Sequence, residues 1–274
     1  MNLKARIASG APLLGTFLKT PHPHVVEVLG GCGFDLLCLD AEHAPFDRGD
    51  IDACVAAARA VKLPIVVRVP DSAPHGILNA LDCGADGVVV PHIRTVAEAR
   101  AVALAAHYTT GGRGYAGSSR AAGYGSVGMQ DHRAASARRT VVIAQIEDAE
   151  AVEAIDGIAT VDGIDALFIG RIDLTIALGC TSPDDPVVVA ACDCVVAAAV
   201  AAGRPVGMFL SRPADAPLWT AKGVTLFLLG SDHSLLRSGA TALRLESGLT
   251  APTIQDVAEQ GRTSPMTPAP RDPA

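Results

Sequence analysis

Lysine, aromatic side chains and positive charge are all scarce in this chain. Of 274 residues only Lys4, Lys19, Lys62 and Lys222 are lysines, aromatics make up 4%, and the formal net charge is −7. No basic stripe with interleaved aromatics is present, which argues against a nucleic-acid partner, because phosphate binding needs a concentrated cationic face. No uninterrupted apolar run reaches the roughly 18 to 20 residues of a membrane-spanning helix. The opening Met1-Asn2-Leu3-Lys4-Ala5-Arg6 lacks the apolar core of a secretion signal. The cysteines form no CxxC pair and are odd in number, so reduced thiols in a cytoplasmic protein are expected.

What the chain does have is a regular alternation. Hydrophobic residues make up 49% of it, enough for a large core. Runs rich in Val, Ile, Leu and Phe lie at residues 13–18, 34–40, 64–69, 87–92, 141–147, 166–170, 205–210 and 225–230. Ala-rich segments with helical spacing lie between them, at 48–61, 73–83, 95–107, 149–159 and 187–202. Several of the strand-like runs are continuously apolar, the pattern of parallel strands buried on both faces. Eight β/α units in about 250 residues predict an α/β fold of the (β/α)8 TIM-barrel type. A doubly wound open sheet would need no eighth strand and usually carries a Gly-rich phosphate fingerprint after its first strand, where this chain has none. The barrel is expected to occupy residues 1–250 as one domain. A long Gly-rich loop at 110–125 interrupts the alternation, and loops of that length are usually functional or mobile. Residues 251–274 form an extension whose polar, Pro-rich end is expected to be disordered from about residue 262.

A barrel builds its active site at the C-terminal ends of its strands. There the sequence places Asp40, Glu42 and His43 after the second strand, Arg68 on the third and His92 after the fourth. Gln145 and Glu147 end the fifth, Asp173 follows the sixth, and Asp232 and His233 follow the eighth. Glu147 and Asp173 are hard oxygen ligands suited to Mg2+ or Mn2+. Their plainer reading is as caps of the helices that follow, since carboxylates favour helix N-termini. Gln145 and Glu147 are two apart, so on a strand they point to the same face. His43, flanked by acidic residues, reads either as a general base or as a surface-loop histidine. The guanidinium of Arg68 inside Ile65-Val66-Val67-Arg68-Val69 needs an anion, either a bound keto-acid or a structural partner such as Asp40.

Two barrel chemistries are disfavoured. Schiff-base catalysis needs a lysine projecting into the barrel, and of the four lysines only Lys19 lies near a strand end. His22-Pro23-His24 imitates the paired histidines of zinc hydrolases, but the fifth and sixth strands supply no further histidine.

Taken in order, these residues resemble the HpcH/HpaI-type class II pyruvate aldolases, the metal-dependent family that includes 4-hydroxy-2-oxoheptanedioate and 2-dehydro-3-deoxyglucarate aldolases. The resemblance runs from residue 15 to about 245. It is carried by Leu39-Asp40-Ala41-Glu42-His43-Ala44-Pro45, Val66-Val67-Arg68-Val69, Leu81-Asp82-Cys83-Gly84, Gly112-Arg113-Gly114, Gln145-Ile146-Glu147 and Phe168-Ile169-Gly170-Arg171-Ile172-Asp173-Leu174. It implies Glu147 and Asp173 as ligands of a divalent ion (Mg2+, Mn2+ or Co2+), with Gln145 and Arg68 binding pyruvate. It further implies His43 as catalytic base, Asp82 as a carboxylate orienting it, and main-chain N–H groups at Ile172 and Asp173 receiving the pyruvate carboxylate. The implied reaction is reversible cleavage of a 4-hydroxy-2-oxo acid to pyruvate and an aldehyde through a metal-stabilised enolate. A homo-oligomer, hexamer or trimer, is implied too, with a C-terminal helix near 234–246 packing on a neighbour. Two departures stand out: Asp40-Ala41-Glu42-His43 is a mild change of the usual motif, and Gly170-Arg171 replaces the usual Gly-Pro. Arg171 therefore either alters acceptor preference or faces solvent. The rival readings are an acyl-CoA lyase of the citrate-lyase type, for which Arg113 and Arg120 would be the nucleotide-binding cations, and a non-catalytic metal- or keto-acid-binding barrel.

Overall fold

The computed structural model describes residues 1–249, so the expected disorder beyond about residue 262 lies outside the described residues. Eight parallel strands close into a barrel in chain order. They are β1 (Leu13–Leu18), β2 (Leu36–Asp40), β3 (Ile65–Arg68), β4 (Gly87–Val90), β5 (Val141–Ile146), β6 (Ala166–Ile169), β7 (Val206–Leu210) and β8 (Val224–Ser231). The expected architecture holds, with most strands shorter than their apolar runs by a residue or more.

Strand alternation sorts the side chains into two cores. On β5, Val142, Ala144 and Ile146 face outward to the helices, whereas Val141 and Ile143 point into the barrel. Phe17, Leu36, Cys38, Val66, Phe168 and Leu226 fill the interior with them, so the barrel centre is packed rather than open. Burial pushes the Cys38 thiol up to about 12, and all seven cysteines are unpaired, Cys32 and Cys194 being exposed. Where strands approach most closely the sequence uses glycine: a Cβ on Gly87 would lie 2.3 Å from the carbonyl oxygen of Val141.

The helices depart from expectation in ways their residues explain. The 149–159 segment breaks at Ala154 into Ala149–Glu153 and Ile155–Ala159. A helix at Met129–Arg139 carries a polar sequence, MQDHRAASARR, with almost no apolar stripe to betray it. The long Gly-rich loop is tied down: Arg113 pairs with Asp82 and Arg120 with Asp52, and a short turn spans Gly123–Gly125. Among the described residues no helix is long and apolar enough to cross a membrane. From Leu235 the last helix, Asp232–Glu246, belongs to a second compact unit, on which Leu236, Leu243 and Leu245 are exposed.

Candidate active site

Register builds the floor of the site. Asp40 on β2 sits directly opposite Arg68 on β3, and the two pair through Arg68 Nε to Asp40 Oδ1 (2.9 Å) and Arg68 Nη2 to Asp40 Oδ2 (2.8 Å). The structural partner foreseen for Arg68 is thus realised. Lys19 Nζ adds a second cation 3.0 Å from Asp40 Oδ2, which engages the one lysine near a strand end. Burial alone would raise the Asp40 carboxyl, but hydrogen bonds and charge from Arg68, with the His43 amide and Lys19, hold it below the usual carboxylate range. Arg68 also stacks over the Phe17 ring, 4.6 Å from its centre, and its Nε lies 3.3 Å from Glu42 Oε2.

On the β5 side, Val141, Ile143 and Gln145 point inward, and Glu147 continues that row one residue past the strand. Gln145 and Glu147 are only 1% and 2% exposed. Gln145 Nε2 donates to Glu147 Oε2 (2.5 Å), leaving Gln145 Oε1 buried without a partner. Glu147 Oε1 accepts the backbone N–H of His92 at 2.9 Å. Glu147 is therefore not a cap of the helix that follows it in sequence. It is held into the barrel mouth from two sides.

His92 is the residue whose importance the sequence did not disclose. It adopts a left-handed backbone (φ 54), unusual for a non-glycine residue and frequent at functional sites. The turn swings its ring over the mouth, with Nδ1 3.0 Å from Asp148 Oδ2 and Nε2 3.9 Å from Glu42 Oε1. One donor atom from each of Glu42, His92 and Glu147 falls within 4.8 Å of the others. Burial pushes the Glu42 carboxyl above its ordinary range, and Glu147 adds in the same sense against the pull of Arg68, His43 and His92. Two carboxylates turned toward each other, an imidazole and an orphaned amide oxygen make a donor set that fits a divalent cation.

The remaining expected residues divide. His43 stands at the mouth, 52% exposed, with Nε2 3.7 Å from Glu42 Oε2. Asp173 lies partly exposed in the first turn of the helix Arg171–Ala177, outside the Glu42–His92–Glu147 cluster, with the exposed Ile172 before it. Asp82 does not contact His43. It ends the helix Pro74–Asp82, and its carboxylate is taken by Arg113 Nη2 at 2.5 Å. Arg171 does not face solvent: its side chain is 10% exposed, stacks on Trp219, binds Pro183 O and Asp184, and lines a cavity with Ile172, Phe209 and Leu210. Arg113 and Arg120 are likewise committed to carboxylates, which weakens the case for a nucleotide-binding surface.

Gly170 links β6 to the site and admits no side chain. An added Cβ would lie 2.4 Å from Glu147 Oε2 and 2.7 Å from Glu147 Cβ. Gly170→Ala should displace that carboxylate and lower turnover about 10²-fold, the usual cost of a misplacement near 1 Å. Steady-state kinetics beside a thermal melt would check this, and unchanged turnover would show that Glu147 needs no such placement.

A closed parallel barrel with carboxylates, an imidazole and a buried arginine at its C-terminal mouth is the architecture of a TIM-barrel enzyme with a candidate metal site. Residues 13–239 match the HpcH/HpaI aldolase/citrate lyase family, and the chain belongs to that family. A 5-keto-4-deoxy-D-glucarate aldolase of Citrobacter koseri is 35% identical over 242 residues, spanning 88% of this chain and 93% of its own. Among solved structures, an HpcH/HpaI aldolase/citrate lyase family protein from Burkholderia cenocepacia J2315 superposes with a TM-score of 0.84 at 34% identity, covering 89% of this chain and 98% of that one. The citrate synthase SbnG superposes with a TM-score of 0.81 at 28% identity, covering 90% and 97%. The chain is a carbon–carbon lyase of the aldolase type.

Proposed function

We propose that the barrel mouth performs reversible aldol cleavage of a 4-hydroxy-2-oxo acid to pyruvate and an aldehyde, and that it does so with a divalent metal. The observation that carries this reading is the convergence of Glu42, His92 and Glu147 beside Arg68 and the unpartnered Gln145 Oε1. Glu147 would hold the ion, with Asp173 as the second ligand that the family likeness implies. The bound ion, Mg2+, Mn2+ or Co2+, would supply Lewis acidity toward the 2-oxo group.

The protein's own groups divide the rest of the work. Arg68, kept cationic and rigid by Asp40, would face the negative charge that develops on the keto oxygen as the C3–C4 bond breaks. Gln145 would orient the pyruvate part. The N–H groups of Ile172 and Asp173, in a first helical turn where main-chain donors lack helical partners, would receive the carboxylate. His43 Nε2 would accept the C4 hydroxyl proton in cleavage and return it in synthesis. Asp82, which the family likeness implies as an orienting carboxylate, is paired with Arg113 within one chain.

Homology to a 5-keto-4-deoxy-D-glucarate aldolase supports a polyhydroxylated, carboxylate-bearing substrate. The exposed leucines of the last helix support a homo-oligomer, and the absence of a basic face supports small molecules as the partners. A cytoplasmic location agrees with the free cysteines. The test is pyruvate and a panel of aldehydes incubated with each metal, products being identified by mass. Condensation should stop in EDTA, return with Mn2+, Co2+ or Mg2+, and resist borohydride. Activity that survives EDTA and dies with borohydride would establish amine catalysis instead.

A further inference from the structure

The family likeness assigns no role to His92, yet the side chain is built like a ligand. Its Nδ1 meets Asp148 Oδ2 at 3.0 Å, and a carboxylate can only accept, so the ring proton sits on Nδ1. Asp148 is in turn fixed by Arg94 Nε at 3.1 Å. In the neutral ring this leaves the lone pair on Nε2, the nitrogen that faces Glu42 Oε1. A carboxylate behind one nitrogen and an open lone pair on the other is the usual support of a metal-bound histidine. The left-handed backbone that places the ring is itself secured by Glu147, whose Oε1 takes the His92 N–H. Beside it, Gln145 Oε1 is buried and unpartnered, a second sign that the mouth is shaped around something it binds.

We propose that His92, through Nε2, is a nitrogen ligand of the metal, with Asp148 as the residue that orients it. The inference rests on the metal-dependent reading above and adds to it a mixed nitrogen and oxygen donor set. Imidazole favours Co2+ and Mn2+ over Mg2+ more than carboxylates alone do, so the site should rank Co2+ above Mn2+ and both well above Mg2+.

Electron spin-echo envelope modulation of the full-length protein loaded with Mn2+ tests this without any turnover. The wild type should show 14N modulation from a directly bound nitrogen. His92→Gly, chosen because glycine adopts φ 54 without strain, should lose it. Calorimetry with Mn2+ and Co2+ should show affinity weakened more than about tenfold in His92→Gly, and about tenfold in Asp148→Asn with the 14N signal kept. Mn2+ bound without 14N coupling, or coupling that persists in His92→Gly, would overturn the assignment and leave the metal-dependent reading intact. Failure of the wild type to bind any of the three ions would overturn both.

Discussion

Glu147→Gln should lower aldol turnover by about 10³-fold while leaving the fold intact. The carboxylate is the shared element of the site: it receives the Gln145 amide, fixes the His92 backbone and faces Glu42. Loss of a ligand charge removes several kcal/mol of stabilisation of developing charge, and about 4 kcal/mol corresponds to about 10³ in rate. Stability should move the other way. Without metal, Glu42 and Glu147 repel, and burial keeps Glu42 above its ordinary range, so a neutral amide relieves the apo-protein. The metal-free melting temperature of Glu147→Gln should equal or exceed that of the wild type, and metal should no longer raise it. Activity within tenfold of the wild type would remove Glu147 from the chemistry.

Arg68→Leu carries the second large effect, on stability as well as rate. Asp40 is fully buried, and Arg68 supplies two of its ion-pair contacts, leaving only Lys19 as a cation once it is gone. Breaking a buried pair from one side costs about 3 to 5 kcal/mol, or roughly 10 °C in melting temperature for a barrel of this size. The pH dependence has a defined sign. In the wild type the Asp40 carboxyl lies below its ordinary value, so its contribution is present above the unfolded pKa and lost as pH falls through the folded one. In Arg68→Leu burial dominates and raises that pKa, so the penalty is largest near neutrality and shrinks on acidification as Asp40 takes a proton. The melting gap between variant and wild type should narrow between pH 7 and pH 4. A constant gap would mean that Asp40 is not the group left exposed to the loss.

Much of this was legible in the residues. The eight apolar runs became eight strands, and the two-residue spacing of Gln145 and Glu147 put both inside the barrel because alternation is a local property of a strand. Arg68 within an apolar run demanded an anion, and register supplied Asp40 opposite it. The rest depended on geometry that no spacing encodes. His92 reaches the carboxylates because its backbone turns left-handed just past β4, a choice a non-glycine residue does not announce. Arg171 sits beside the site in sequence but lies against Trp219, since the first turn of a helix can aim a long side chain either way. Asp82 was placed beside His43 by likeness alone, and no spacing announced that the Gly-rich loop brings Arg113 to its carboxylate. Glu42 entered as one member of a polar ring, and only the closed order β2 to β5 brings it near Glu147 and His92.

The central claim is that this mouth generates the pyruvate enolate by metal-dependent chemistry without an amine intermediate. Exchange of the pyruvate C3 protons with D2O, followed by 1H NMR in the absence of any aldehyde, reads that half-reaction directly. The methyl signal should disappear with Mg2+ or Co2+ present, persist in EDTA, and persist in Glu147→Gln with metal. Exchange that continues in EDTA and is abolished by borohydride would contradict the account.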